Sequence, residues 1–274
     1  MDLNINSSVK LNNGVNMPIL GLGTYPLKGK PVYRAVLWAL DIGYRLIDSA
    51  SLYGNEKKIG EALKATKIPR DDIFITTKVW NSDQGYENTL AAFDRSLKLL
   101  SLDYVDLYLI HRPVKGLMNE TWKALEKIYD NGRVRAIGVS NFTIRHLDEL
   151  KSTLNLMPTV NQVEFSPFLY QKELMEYCKS NKIVLEAYRP LTKTKKFSDV
   201  TLLSIEQKHN KTPAQILIRW GLQHEIVTIP KSGDKNHLID NANVFDFSLD
   251  ENDMHQLDNL NENYRTLNDP NLID

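Results

Sequence analysis

Eight short apolar runs rich in β-branched residues, separated by segments with helical spacing, organise this chain between residues 19 and 229. The runs occupy 19–22, 45–47, 73–77, 104–110, 134–139, 159–163, 183–187 and 226–229. Between them, Val32, Ala35, Val36, Ala39 and Leu40 share one helical face behind Pro31, read as the first helical residue, and Leu90, Phe93, Leu97 and Leu100 form a second stripe. A third segment opens with Thr212 as N-cap and Pro213 after it, then carries Ala214, Leu217, Ile218 and Gly221 on one face. Strands alternating with helices pair in parallel through right-handed crossovers, because each helix returns the chain to the same end of the sheet. Eight such units predict an α/β fold of the (β/α)₈ TIM barrel type. An open, doubly wound sheet of six or seven strands would show much the same alternation.

Ahead of the first run, Val9-Lys10-Leu11 and the turn Asn12-Asn13-Gly14 predict an N-terminal β-hairpin plugging one end of the barrel, since Asn-Gly tolerates the positive φ of a tight turn. Beyond the last run, Ser248 and Glu251 have capping-box spacing for one extra C-terminal helix, and the tail from Asn263 is polar and irregular. No Ser/Gly-rich linker, charge block or internal repeat interrupts the pattern, so residues 1–274 read as a single domain.

Composition narrows the partners. Lys+Arg and Asp+Glu both total 34, so no global field draws in nucleic acid or an anionic membrane, and a small molecule is the expected partner. Cys178 is the only cysteine, which excludes an intramolecular disulfide and a multi-cysteine zinc site; no metal centre is expected. Met1-Asp2-Leu3-Asn4-Ile5-Asn6 lacks the basic and apolar regions of a secretory signal, and no apolar run is long enough to span a bilayer. A cytoplasmic protein, monomeric by expectation, follows from this reading.

Barrel active sites form where the strands end, so the residues that terminate each run matter most. They are Thr24, Asp48, Lys78, His111, Ser140 with Asn141, Gln162, Tyr188, and Lys231 with Ser232. Polar residues commonly begin loops, but one polar group after nearly every strand places them all on one rim. With Tyr53, three of them form a proton-handling set. A phenol is a poor acid near neutral pH, and the ammonium of Lys78 would stabilise its phenolate and lower its pKa. Asp48 would hold Lys78 charged and oriented, and His111 would donate a hydrogen bond to a carbonyl oxygen. The same residues are also compatible with a structural Asp48–Lys78 ion pair and a strand end capped by His111. The other histidines, His146, His209, His224, His237 and His255, lie in helical or polar stretches.

From about residue 9 onward the sequence resembles the aldo-keto reductase family, microbial type. Met17-Pro18-Ile19-Leu20-Gly21-Leu22-Gly23-Thr24 is similar to its first barrel strand, and Leu46-Ile47-Asp48-Ser49-Ala50 with Tyr53-Gly54-Asn55-Glu56 to its Asp and Tyr motif. Thr76-Thr77-Lys78-Val79-Trp80, Leu109-Ile110-His111, Gly138-Val139-Ser140-Asn141-Phe142 and Ile229-Pro230-Lys231-Ser232 resemble its lysine, histidine, carboxamide and phosphate motifs in the same order. The resemblance implies an NADPH-dependent oxidoreductase reducing small aldehydes, ketones or dicarbonyls, with NADH as a possible substitute. It makes Asp48, Tyr53, Lys78 and His111 the catalytic tetrad, Tyr53 being the proton donor. It assigns Ser140, Asn141 and Gln162 to the nicotinamide carboxamide, Tyr188 to the ring, and Thr24 and Arg189 to the cofactor's surroundings. Lys231, Ser232 and His237 fall to the 2′-phosphate, and Asp240 and Asn241 to the adenine. Thr24, Tyr25, Trp80 and Arg112 would line the substrate pocket. The dinucleotide fingerprint of other α/β folds is absent, since Pro26 follows Gly21-Leu22-Gly23 where a third glycine would stand.

Three positions depart from the family pattern. Arg112 stands where Trp is common, Arg189 where Ser is common, and His237 where an Arg usually meets the 2′-phosphate. The first bears on substrate class and the last on NADPH against NADH. An alternative from another class is an NADPH-binding sensor with little turnover; a barrel lyase or hydrolase using the same lysine and carboxylate would act without nicotinamide.

Overall fold

Alternation along the apolar runs decides which side chains fill the barrel and which meet the helices around it. In the computed structural model, residues 3–152 and 155–270 are described. Met1, Asp2, Thr153, Leu154 and residues 271–274, which belong to the predicted 1–274 domain span, lie outside the described residues.

A hairpin of β1 (Ser8–Lys10) and β2 (Asn16–Pro18) precedes eight parallel strands. These are β3 (Gly21–Gly23), β4 (Leu46–Asp48), β5 (Phe74–Val79), β6 (Val105–Ile110), β7 (Val134–Ser140), β8 (Val160–Glu164), β9 (Val184–Tyr188) and β10 (Val227–Ile229). They pair in sequence order, and parallel bridges Leu20–Thr228 and Gly23–Lys231 join β10 to β3. The sheet is therefore a closed barrel and not the open doubly wound alternative. All eight predicted runs are strands, with ends displaced by one or two residues.

Two cores result. Inside the barrel, Leu46, Phe74, Leu107, Leu109, Ala136, Val160, Val227 and Ile229 cluster with Leu11 and Met17 of the hairpin region, which plugs the N-terminal end. Outside it, Ile47, Ile75, Tyr108, Ile137 and Val139 meet the helical stripes Val32, Ala35, Val36, Ala39 and Phe93, Leu97, Leu100. The hairpin loop differs in detail from the tight Asn-Gly turn predicted. Leu11 N–H donates to Val15 O at 2.8 Å, so three residues form the loop, and only Gly14 adopts positive φ, at 89°.

Helix ends follow local chemistry. Pro213–Gln223 starts as predicted, with Thr212 and Gln215 capping each other. Helix Gly29–Ile42 begins two residues before Pro31, which is tolerated because the first turn's N–H groups need no intrahelical acceptor. The C-terminal helix Glu251–Asp258 is capped by Asp250, not by Ser248. Asp250 Oδ1 accepts from Asp253 N–H at 2.8 Å, and Lys208 pairs with both carboxylates. Lys208 belongs to Val200–His209, a further helix outside the eight-fold repeat that the sequence reading did not identify. No helix among the described residues is long and apolar enough to cross a membrane.

Candidate active site

Inward alternation puts Asp48 at the end of β4, Lys78 near the end of β5 and Gln162 within β8, replacing the apolar filling with polar groups at the C-terminal mouth. The loop after β4 folds back in a 3₁₀ turn, Ser51–Tyr53, closed by Gly54 at φ 62°. Ser51 Oγ ties that turn to Lys78 O at 3.0 Å. The consequence is that Tyr53 Oη accepts from Lys78 Nζ at 3.4 Å.

Lys78 is fully buried, and each of its three N–H groups has a partner: Asp48 Oδ2 at 2.6 Å, Ser49 O at 2.8 Å and Tyr53 Oη. Because the ammonium donates to the phenol oxygen, the phenol's own proton is free to point into the cleft. Burial works against the charged Lys78, but Asp48 and Tyr53 outweigh it and raise its pKa. Tyr53 departs from expectation. Burial raises its pKa above the ordinary phenol value, and Lys78 opposes that rise without overcoming it. His111, buried beside the lysine, has its pKa driven well below the usual imidazole range by burial, Lys78 and Arg112, so it is neutral near pH 7. Trp80 and Tyr53 stand edge-on to its ring at centroid distances of 4.9 and 5.6 Å, and Tyr25 lies 5.0 Å from Tyr53.

Opposite this aromatic wall the polar groups hold one another. Tyr188 Oη donates to Asn141 Oδ1 at 2.7 Å, and Asn141 Nδ2 donates to His111 O at 2.8 Å and Ser140 Oγ at 3.0 Å. Ser140 Oγ donates to Gln162 O at 2.8 Å. Gln162 Nε2 bridges Asp48 Oδ2 at 2.9 Å and Glu186 Oε2 at 2.8 Å. Thr24 Oγ1 donates to the backbone carbonyl of Asp48 and accepts from Asn55 Nδ2, so it is tied to the end of β4 as well as facing the cleft.

One cleft, open to solvent, collects most of the predicted residues. Asp48, Tyr53, Lys231 and His111 line it together with Thr24, Tyr25, Trp80, Arg112, Ser140, Asn141, Gln162, Tyr188 and Arg189; Lys78 lies directly beneath, bonded to Tyr53. Ser232, His237, Asp240 and Asn241 do not line it. Ser232 is buried against Asp234, while His237 and Asp240 are exposed on helix Lys235–Ala242, just beyond Lys231. Asn241 is buried on the same helix.

Three parts of the site escaped the sequence reading. Glu186 is an acidic residue within the apolar run 183–187, two residues before Tyr188 and hence on the same inward face; that spacing was the available signal. Asn55 is the second. The third is the tail, whose polar sequence gave none. Thr266 donates through N–H at 2.8 Å and through its hydroxyl to Glu164, and Arg189 Nη1 donates to Thr266 O at 2.9 Å, which brings Leu267 to the cleft.

Residues 19–262 match the profile of the Aldo/keto reductase family. Glyoxal reductase of Bacillus subtilis (strain 168) is 50% identical over 266 residues, covering 97% of this chain and 96% of that protein. An aldo-keto reductase from a Medee basin deep-sea metagenome library superposes with a TM-score of 0.94 at 49% identity, covering 96% of this chain and 98% of that one. Another aldo-keto reductase, solved in complex with NADPH, superposes with a TM-score of 0.91 at 34% identity over 96% of this chain and 90% of its own.

Proposed function

The chain belongs to the aldo/keto reductase family and is an oxidoreductase, and from that premise we propose that it reduces small aldehydes, ketones or dicarbonyls with NADPH, Tyr53 supplying the proton. The observation that carries this reading is the trivalent anchoring of Lys78 on Asp48, Ser49 O and Tyr53. A relative half identical to this chain is named for glyoxal reduction, which supports a small dicarbonyl as one substrate.

The donor set fits the cofactor. One continuous cleft runs from His111 and Trp80 to Lys231, whose ammonium has no ion-pair partner among the described residues. Tyr188, Ser140, Asn141 and Gln162 would hold a nicotinamide end, and Lys231, Ser232 and His237 a 2′-phosphate, with Arg189, Asp240 and Asn241 around them. NADH would be accepted less well. NADPH bound there supplies a hydride to the carbonyl carbon.

The protein's part is proton transfer and orientation. The Tyr53 O–H bond breaks as the substrate oxygen takes the proton, and the electron pair stays on the phenolate oxygen, where Lys78 stabilises it. Asp48 keeps Lys78 charged, so the stabilising cation is fixed before reaction begins. Neutral His111 donates one N–H to the same carbonyl oxygen and fixes its approach between Tyr25, Trp80 and Arg112. The reading takes the catalyst to be a monomer working in the cytoplasm, where the lone buried thiol of Cys178 is at home.

The test is the decay of NADPH absorbance with a panel of aldehydes, ketones and dicarbonyls. Tyr53→Phe should bind NADPH normally yet lose roughly 10²- to 10⁴-fold in kcat, the usual contribution of a positioned acid. Lys78→Met should behave similarly. A Tyr53→Phe enzyme with near-wild-type kcat under rate-limiting hydride transfer would falsify the assignment.

A further inference from the structure

The interior of the barrel holds a carboxyl that the reaction above does not use. Glu186 is fully buried on β9, and its paired neighbours are Gln162 on β8 and Val227 on β10. One oxygen, Oε2, accepts from Gln162 Nε2 at 2.8 Å; the other, Oε1, is buried with no hydrogen-bond partner among the described residues. The same amide nitrogen donates its second proton to Asp48 Oδ2 at 2.9 Å. Two carboxyls therefore share one amide, and only one buried ammonium, Lys78, lies among them.

Charge counting decides their states. Lys78 and Asp48 together are neutral, so ionising Glu186 would leave a net negative charge in a water-excluded interior, with one of its oxygens unsolvated. We propose that Glu186 is a positioning residue: a proton-bearing carboxyl that, through Gln162, keeps Asp48 the single ionised carboxylate facing Lys78 and Tyr53. This rests on the function proposed above. The ionisable groups facing Glu186 are Asp48 from β4, Lys78 from β5 and, beyond Lys78, Tyr53. Burial and Asp48 push its pKa up to about 8, against the pull of Gln162 and Lys78. Above that pH the new charge raises the pKa of Tyr53 and makes it a weaker acid. A Brønsted sensitivity of about one half turns each tenfold weakening into roughly a threefold loss of rate.

Glu186→Gln mimics the neutral acid and cannot ionise. Its kcat for carbonyl reduction should match wild type within about twofold near pH 6 and exceed it by roughly threefold near pH 9. Equal profiles, or a loss of the same size at every pH, would overturn the proposal, the second outcome meaning that the carboxyl only fills space. Stability gives a readout that needs no turnover. A carboxyl whose folded pKa is raised makes the protein less stable as pH rises from the unfolded value, about 4.3, to about 8, because the folded state then binds more protons than the unfolded one. Denaturation midpoints of Glu186→Gln, or of Glu186→Leu if the amide does not fold, should gain on wild type across that window and run parallel above it. A constant difference from about pH 5 to about pH 9 would refute the buried proton whether or not the carbonyl-reducing reading stands.

Discussion

A single side chain beside His111 offers a direct test of which carbonyl compounds the proposed reaction accepts. Arg112 lines the cleft half-buried, its backbone oxygen held by Gln84, and its guanidinium has no hydrogen bond or ion pair among the described residues. An unsatisfied guanidinium of that kind favours a substrate carboxylate or phosphate, which it can meet through two parallel N–H bonds. Arg112→Trp should therefore lower kcat/KM for an anionic aldehyde by roughly 10-fold or more while leaving a neutral aldehyde of matched size within about threefold. Equal effects on both would mean that the side chain serves only to cover the pocket. His237 invites a second comparison. Helix Lys235–Ala242 has the carboxylate of Asp234 on its first free N–H groups, those of Asn236 and His237, where an anion would otherwise be drawn. With an imidazole in place of a guanidinium and an acid at the cap, NADPH should be preferred over NADH only modestly. His237→Arg should strengthen that preference about 10-fold in Kd, one charge-assisted bond's worth. At this scale most residues that end an apolar run reach the cleft, because strand ends converge on the mouth, whereas Ser232 turns to Asp234 instead. Glu186 was passed over because it lies inside a run, where the inward phase matters more than the boundary.

Caps and connections carry the next level of information. Thr212 and Pro213 were readable because the cap, the proline and the Gln215 partner lie within four residues of one another. Ser248 was misassigned because two acids, Asp250 and Asp253, make an equally good reciprocal cap once Lys208 from another helix bridges them, and that lysine is distant in sequence. The tail was illegible for the same reason: its docking partners, Glu164, Arg189, Phe168 and Gln171, are distant in sequence. Arg189 itself sits at φ 52°, a left-handed conformation that turns its side chain back to Thr266. Arg189→Met should release this strap. Amide exchange in residues 264–268 should quicken, and KM for substrate should rise several-fold with kcat changing less, since loss of bonds to a charged donor removes about 1.5–3 kcal/mol of tail docking. Unchanged exchange in that segment would show that Glu164, Phe168 and Gln171 hold it without Arg189.

Closure of the barrel was the one architectural question that periodicity left open, and the seam between β10 and β3 answers it with few bonds. Thr228 N–H donates to Ile19 O at 2.9 Å and Gly23 N–H to Pro230 O at 3.2 Å, with only two bridges between the strands. Neighbouring strands such as β5 and β6 pair over four registered residues. Hydrophobic patterning could not distinguish eight closed strands from an open sheet, because both bury the same faces; what differs is how closely the first and last strands approach. Glycine marks that approach. A Cβ on Gly23 would come within 2.7 Å of Ile229 O, a backbone atom that cannot turn aside as a side chain could. Gly23→Ala should therefore force the seam apart. Overpacking against backbone costs about 1–3 kcal/mol, which for a chain of this length is a fall in Tm of roughly 3–10 °C. The loss should be local as well as global, with the Thr228 and Gly23 amides exchanging faster than those of β5 and β6. Because Thr24 and Lys231 flank the seam at the mouth, NADPH affinity should fall along with stability. A Gly23→Ala protein that melts within about 1 °C of wild type would mean that the barrel closes with slack at this point, and that the helices around it, not the seam, hold the ring shut.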